Sequence, residues 1–227
     1  MSRSRILVGR PSRRTVVILA AAGLIALAGF GLKKYRSHFF PHRFYVVESG
    51  AIYRGARQTP EIMRSIIQKY GIRTIVNLDD KVLEKGNPNA PGADVYAEEK
   101  AVARDLGVQY FGFIWNGSGL GAFDEYDAVA DILATTSTRP VFIHCAAGEK
   151  RTNAGIAAYW IRFRGFTLDR TVEELKRYGL RPFRKPSLMK YLTAYYDYTK
   201  QNPRPHPSAV LRGGVGHETD GAPDEKP

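Results

Sequence analysis

The first apolar positions after the N-terminal arm follow a strand pattern and then a helix pattern. The short apolar runs 45–47 and 51–54 flank the turn Glu48-Ser49-Gly50, which predicts a β-hairpin. Thr59-Pro60 is typical of a helix start, and the apolar positions after it recur every three or four residues up to Tyr70-Gly71. The sequence therefore predicts a hairpin followed by an amphipathic helix.

Farther along the chain, strand patterns alternate with helix patterns. Buried strands are predicted at 72–78, 108–115 and 139–145. Helices are predicted at about 94–106, 123–136, 153–163, 168–178 and 187–199. Strands interleaved with helices require crossover connections, so the predicted fold is α/β, with a mainly parallel central sheet flanked by helices. Ligands of such sheets bind at the carboxyl ends of the strands.

The N-terminal arm contains an uncharged apolar run. Residues 15–32 are 18 residues without a charge, flanked by basic pairs; as a helix they would be about 27 Å long, against about 30 Å for a bilayer core. This predicts a single-pass membrane anchor between a basic segment, 1–14, and a juxtamembrane linker, 33–43. Ala26-Leu27-Ala28 leaves a cleaved signal peptide as the alternative. Basic residues on both sides favour a cytoplasmic N-terminus only slightly, so the membrane side stays open.

The two ends of the chain differ in composition from the region between them. Residues 202–227 contain five prolines and no aromatic residue, which predicts a disordered tail. This leaves 44–201 as a single domain of ordinary size. The net charge is +12, but residues 1–43 hold nine of the basic residues and no acidic one. The domain itself is therefore only weakly basic, and we expect no nucleic-acid partner.

Candidate chemistry lies at the end of the third predicted buried strand, in the sequence HCAAGEKRT from His144 to Thr152. Between a strand and a helix, the five residues between Cys145 and Arg151 can curl so that their N–H groups converge into an anion site. Gly148 permits a positive φ, and the planar guanidinium of Arg151 can bind two phosphate oxygens. The same positive potential favours the thiolate of Cys145, a nucleophile directed at phosphorus. Because the chain has one cysteine, disulfides and thiolate-rich metal sites are excluded.

The segment 144–152 resembles the C-x5-R signature loop of the cysteine-based protein tyrosine and dual-specificity phosphatases. More loosely, residues 52–58, the helix after them and residues 71–78 resemble the opening of the small atypical dual-specificity phosphatases. The resemblance implies that this domain has the fold of those enzymes and acts without metal or cofactor.

The resemblance also implies a role for each loop residue. Cys145 would attack and form a phosphocysteine, Arg151 would hold the phosphate and the transition state, Thr152 would ease departure of the thiolate, and His144 would brace the loop. The phosphate-binding loop between them would comprise Ala146, Ala147, Gly148, Glu149 and Lys150.

The sequence departs from the family pattern in three respects. Asn153 stands where the family usually has glycine, and Glu149 would repel phosphate unless its carboxylate faces outward. The mechanism needs a general acid on the loop after the preceding strand, but Asn116 and Gly117 stand where relatives often have aspartate. Asp124 is the nearest carboxylate and is the candidate acid, although an acid there also complements the helix dipole.

These observations predict a membrane-anchored, cysteine-dependent phosphatase. Its expected partners are phosphorylated proteins, with phosphotyrosine first and phosphoserine or phosphothreonine next. Phosphoinositides or inositol phosphates are an alternative, and so is a phosphate-binding pseudophosphatase, against which the Cys145–Arg151 pair argues. A rhodanese-like sulfurtransferase fits the loop less well. The basic residues between 162 and 190 either attract an acidic ligand or form a solvated face.

Overall fold

The computed structural model describes residues 40–80 and 93–205, together with residues 13, 14, 19, 22 and 23 of the N-terminal arm. The chain divides into two units, Met1–Phe40 and Pro41–Pro227. The strands and helices named below all lie in the second unit.

Five strands form one sheet in the second unit. They are β1 (Tyr45–Glu48), β2 (Ile52–Ala56), β3 (Thr74–Asn77), β4 (Gln109–Gly112) and β5 (Val141–Cys145). Their order is β1-β2-β5-β3-β4, with β1 antiparallel to β2 and every other pair parallel. The expectation of an α/β domain with a mainly parallel sheet is confirmed.

Six α-helices of the described residues cover the two faces of this sheet. They are α1 (Pro60–Tyr70), α2 (Ala93–Asp105), α3 (Phe123–Ala134), α4 (Lys150–Phe163), α5 (Leu168–Lys176) and α6 (Pro186–Gln201), with short 3-10 helices at Thr136–Thr138 and Pro182–Arg184. Helices α1 and α2 pack on one face, and α3, α4, α5 and α6 pack on the other. Alternate residues of β5 enter the two layers, Phe142 the first and Ile143 the second, as the period of a strand requires.

Local signals in the sequence place both ends of α1. The Thr59 hydroxyl accepts a hydrogen bond from the Ile62 N–H at the start of α1, and Gly71 ends that helix with a φ of 62°. The hairpin of β1 and β2 is confirmed. Helix α4 differs, because it begins at Lys150 rather than near Asn153. The loop after β5 spans only Ala146–Glu149, so α4 begins within the signature sequence.

The structure corrects the prediction of a single-pass membrane protein. A helix needs about 20 consecutive apolar residues to cross the hydrocarbon core. Among the residues that the structure describes, no helix is long and apolar enough, and α6, the longest, has 16 residues. Most of the predicted span 15–32 and its alternative cleavage site lie outside the described residues, as do 206–227 of the predicted tail. The remaining domain bounds stay predictions.

Candidate active site

The signature loop joins the middle of the sheet to a buried helix. Strand β5 lies between β2 and β3, so Cys145 at its carboxyl end is beside Ala56, the last residue of β2. The loop turns over Ala146–Glu149, and α4 begins at Lys150. Cys145 is only 2% exposed. The nucleophile predicted from the sequence is therefore at the base of a site formed by the carboxyl ends of the central strands.

The carbonyl groups of three successive loop residues accept hydrogen bonds from residues 43–57, the segment that contains β1 and β2. The Ala146 carbonyl accepts from the Arg57 N–H (3.3 Å), and the Ala147 carbonyl accepts from Arg43 Nη1 (3.1 Å). The Gly148 carbonyl accepts from Arg54 Nη2 (2.9 Å). In a trans peptide the N–H points opposite to the C=O. The next N–H groups along the loop are therefore directed to its other side, an arrangement that binds anions.

Only glycine fits at position 148. Its φ is +61°, a left-handed conformation that other residues rarely adopt. A Cβ there would lie 2.4 Å from the Ala56 nitrogen and 2.5 Å from the Gly55 carbonyl group. Because both obstacles are backbone atoms, a side chain would force the loop away from β2.

The surroundings of Cys145 favour the thiolate. Burial by itself raises the pKa of the thiol, but hydrogen bonds from the hydroxyl and N–H of Thr152, the charge of Arg151 and the N–H of Glu149 outweigh it and lower the pKa. The Thr152 hydroxyl is 3.2 Å from Sγ. The loop is thus chemically suited to hold a sulfur anion at its centre.

Arg151 is oriented by a carboxylate that the sequence analysis did not identify. Its Nη1 donates to Asp79 and, at 3.3 Å, to the Trp115 carbonyl. Asp79 is buried and also accepts from Arg57 Nη2 (3.2 Å) and the Tyr96 hydroxyl (3.0 Å). Asp79 follows β3, next to the strand that carries the cysteine. Its place at the carboxyl end of a predicted buried strand was the available signal.

A second residue missed from the sequence is Arg54, in the middle of β2. It is fully buried, and besides the Gly148 carbonyl it donates to Asn153 Oδ1 and lies 4.6 Å from the centre of the Tyr178 ring. Burial lowers the pKa of its guanidinium to about 10, so the group is a cation at neutral pH. In the described part of the chain no carboxylate pairs with it. The interactions that oppose this lowering are those with Tyr178 first and then with Cys145.

The contact with Arg54 accounts for the departure at Asn153. A glycine at this position offers no side-chain acceptor, whereas the Asn153 amide oxygen accepts from the buried guanidinium. Asn153 is itself fully buried near the start of α4. The asparagine therefore ties the helix that follows the loop to the strand β2 beneath it.

His144 joins the cysteine-bearing strand to α2. Its Nε2 is 3.0 Å from Glu99 Oε1, and both side chains are buried. Burial disfavours the charged imidazole, but the charge and hydrogen bond of Glu99 outweigh it and raise the pKa of His144. His144 thus links β5 to α2, and the bracing role implied by the resemblance stays a prediction.

The other predicted site residues with charged side chains are only partly buried or are exposed. The Glu149 carboxylate pairs with Arg43 (3.5 Å) and Lys185 (3.9 Å). Lys150 is half-buried at the first position of α4. Asp124 is exposed near the start of α3, and the hydrogen bond found for its carboxylate in the described structure is accepted from the Glu125 N–H. The structure thus brings Cys145, Arg151 and Thr152 together but does not bring Asp124 into contact with them.

Metal ligands are not clustered in the described part of the chain. Residues 40–80 and 93–205 contain no group of three or more His, Cys, Asp or Glu side chains that could hold an ion. The donors that surround the loop are instead N–H groups and cations, which suit an anion.

Comparison with known proteins identifies the fold. No family model and no curated protein matches the sequence, but solved structures do. TpbA of P. aeruginosa is similar with a TM-score of 0.51 at 19% identity, over 67% of this chain and 84% of that one. The PP-IP phosphatase Siw14 of S. cerevisiae, crystallised with citrate, gives 0.50 at 16% identity over 71% and 93%. PTPMT1 in complex with PI(5)P gives 0.53 at 15% identity over 70% and 97%.

These identities are low, so the similarity establishes the fold. The resemblance to the small atypical dual-specificity phosphatases, inferred above from the signature loop, is confirmed at this level. The chain shares the fold of these phosphatases, and its single cysteine, Cys145, is buried.

Proposed function

We propose that this protein is a cysteine-dependent phosphatase that hydrolyses phosphomonoesters through a phosphocysteine. The observation that carries the proposal is the position of Cys145 Sγ, which lies 3.2 Å from the Thr152 hydroxyl in a loop whose donors lower the thiol pKa. A thiolate held under converging N–H groups and beside a guanidinium is arranged to attack a bound phosphate.

In the first step the thiolate of Cys145 attacks phosphorus. The S–P bond forms and the ester P–O bond breaks, while Arg151 and the loop N–H groups stabilise the charge on the three non-bridging oxygens. The leaving oxygen takes a proton from a general acid or from water. In the second step water attacks the phosphocysteine, the P–S bond breaks, and Thr152 stabilises the departing thiolate through its hydroxyl.

The ease with which the leaving group departs determines which substrate we propose. Asp124 is the proposed acid because it directly follows the loop after β4, at the second position of α3, but its carboxylate accepts a hydrogen bond from the Glu125 N–H of its own helix. Esters whose leaving group departs without much help are therefore favoured, and phenols leave more readily than alcohols. We propose phosphotyrosine as the first substrate, with phosphoserine and phosphothreonine as slower ones.

Two other functions rest on particular observations. A phosphate-binding pseudophosphatase is favoured by the lack of contact between Asp124 and the loop. A phosphoinositide or inositol phosphate phosphatase is favoured by the basic side chains around the rim and by the fold shared with PTPMT1, which was crystallised with PI(5)P.

Phosphate release from an aryl phosphate tests the proposal. The full-length protein and its Cys145→Ser variant are assayed with a chelator present, and vanadate binding is measured for both. We expect release by the wild type only, with vanadate still bound by the variant because the loop and Arg151 are unchanged. A folded wild type that binds vanadate without releasing phosphate would favour the pseudophosphatase. Equal release by both proteins would refute the mechanism.

A further inference from the structure

Arg54 is a cation inside the domain, where a charged side chain is costly unless it is paired. It is fully buried in β2, yet no ion pair among residues 40–80 and 93–205 includes it. Arg151, by contrast, contacts the buried carboxylate of Asp79. Arg162 contacts the buried carboxylate of Asp127 in the same way. The charge of Arg54 therefore needs an explanation other than an ion pair within the protein.

The guanidinium of Arg54 contacts the segments on both sides of Glu149. Its Nη2 donates to the Gly148 carbonyl (2.9 Å) in the loop, and its Nη1 donates to Asn153 Oδ1 in the first turn of α4. The ring of Tyr178, from the chain after α5, lies 4.6 Å from its central carbon. The guanidinium is therefore held in one orientation against the loop.

The peptide group that Arg54 contacts has its N–H on the opposite side. The Gly148 carbonyl faces the guanidinium, and in a trans peptide the N–H of the next residue, Glu149, points the other way. That N–H is one of the donors that lower the pKa of the Cys145 thiol. A cation that binds a carbonyl oxygen polarises the peptide and strengthens its N–H as a donor. Arg54 can thus act on an anion in the loop without touching it.

The glycine in this peptide makes the contact with Arg54 important. Gly148 has a φ of +61°, and glycine restricts the rotation of its peptide groups less than any other residue. A hydrogen bond from a fixed guanidinium to the Gly148 carbonyl therefore sets the direction in which the Glu149 N–H points.

We propose that Arg54 and Asn153 form a positioning pair that directs and polarises the Gly148–Glu149 peptide toward the phosphate group of the substrate. The inference rests on the proposed function and adds two residues to its phosphate-binding arrangement. Arg54 supplies the positive charge, and the amide oxygen of Asn153 fixes its guanidinium. The bound phosphate then supplies the negative charge that compensates the buried cation.

Binding of inorganic phosphate to the full-length Cys145→Ser protein tests the pair without depending on turnover. Calorimetric titration compares this parent with Arg54→Met and Arg54→Lys in the same background. Arg54→Met should weaken phosphate affinity about tenfold, because a cation and its hydrogen bond to the peptide are lost. Arg54→Lys keeps the cation and should bind only about threefold more weakly than the parent. An unchanged affinity in folded Arg54→Met, or equal losses in both variants, would overturn the proposal.

A milder substitution tests the partner residue. Asn153→Gly introduces the residue that the family usually has here, and it leaves Arg54 and its contact with the Gly148 carbonyl in place. It should weaken phosphate affinity about threefold, because the guanidinium loses one of its two acceptors. In the Arg54→Met background the same change should have no further effect, since residues that act as a pair are not additive. Additive losses would overturn the pairing.

The pKa of the Cys145 thiol is a readout that a purely structural role would not change. Alkylation by iodoacetamide across pH is measured in proteins that keep the cysteine. The thiol pKa should be higher in Arg54→Met than in the wild type, with Arg54→Lys between them, because the Glu149 N–H becomes a weaker donor. The other groups that face the thiol or the guanidinium stay the same in these proteins: Thr152, Arg151, His144, Tyr178, Tyr45 and Arg43. Equal pKa values in the three proteins would overturn the proposal.

Arg139→Met is the matched control for a loss of stability. Arg139 precedes β5, at the end of the strand opposite to the loop, and it also contacts a carbonyl and a tyrosine. Its Nε donates to the Leu133 carbonyl (2.8 Å) and its Nη2 to the Tyr159 hydroxyl (2.8 Å). The control should unfold at a lower temperature than the parent but keep its phosphate affinity and thiol pKa. A control that weakens phosphate binding as much as Arg54→Met would overturn the proposal.

Phosphate binding also separates failure of the pair from failure of the proposed function. If the Arg54 and Asn153 variants change phosphate affinity as expected while the wild type hydrolyses no phosphomonoester, the pair is supported and the catalytic proposal fails. If the wild type is an active phosphatase whose phosphate affinity is unaffected by both variants, the pair is overturned and the catalytic proposal stands.

Discussion

Replacing Thr152 with valine removes the hydroxyl that contacts the nucleophile while keeping nearly the same shape. Thr152 is fully buried, and its hydroxyl is 3.2 Å from Cys145 Sγ. Because the site is closed around this atom, water does not replace the lost donor. The substitution therefore isolates one of the hydrogen bonds that lower the pKa of the thiol.

The size of the effect follows from the strength of that bond. A hydrogen bond to a charged group contributes about 1.5–3 kcal/mol, and one pKa unit corresponds to about 1.4 kcal/mol. Thr152→Val should therefore raise the pKa of Cys145 by about one to two units. The acidic limb of the kcat/KM profile should move to higher pH by the same amount, because the thiolate then forms only at higher pH.

The single cysteine makes the assay direct. The rate of alkylation by iodoacetamide, measured across pH, reports the thiol pKa of Cys145 without interference from another thiol. Thr171→Val is the matched control, because Thr171 is also fully buried but donates to the Thr167 carbonyl (2.9 Å). An unchanged thiol pKa in a folded Thr152→Val, or an equal shift in the control, would refute the reasoning.

Three further substitutions test the surroundings of the loop. Gly148→Ala should lower aryl phosphatase activity at least about 100-fold and the free energy of unfolding by about 1–3 kcal/mol; wild-type activity and denaturation midpoint would contradict the steric argument. Asp79→Asn should weaken inhibition by inorganic phosphate about tenfold because Arg151 loses its orienting carboxylate; an unchanged inhibition constant would exclude this role. Asp124→Asn should flatten the basic limb of the pH–rate profile and slow alkyl phosphates about 100-fold, more than aryl phosphates; equal rates for variant and wild type would remove Asp124 as the acid.

The sequence predicted those features that depend on neighbouring residues. Hydrophobic periodicity located the strands and helices, and the caps at Thr59 and Gly71 fixed the bounds of α1. The spacing from Cys145 to Arg151 predicted the loop, because the loop is formed by consecutive residues. The motif alone was therefore enough to predict that a loop of this kind follows the strand.

The missed features depend on contacts between distant parts of the chain. Arg54 and the Gly148 carbonyl are 94 residues apart, and Arg151 and Asp79 are 72 residues apart. All five residues of β2 are buried, so no alternation distinguished Arg54 from its neighbours. The presence of the cation Arg54 in this buried strand is explained only by the fold, which places the Gly148 carbonyl within hydrogen-bond distance of its guanidinium.

Trapping of the covalent intermediate tests the central claim most directly. The full-length protein is mixed with an aryl phosphate, quenched in acid within the first turnover and digested, and the peptide that contains Cys145 is examined for phosphate by mass spectrometry. The account predicts phosphate on Cys145, decaying as free phosphate appears. Turnover without phosphate on Cys145, or with phosphate on another residue, would contradict it.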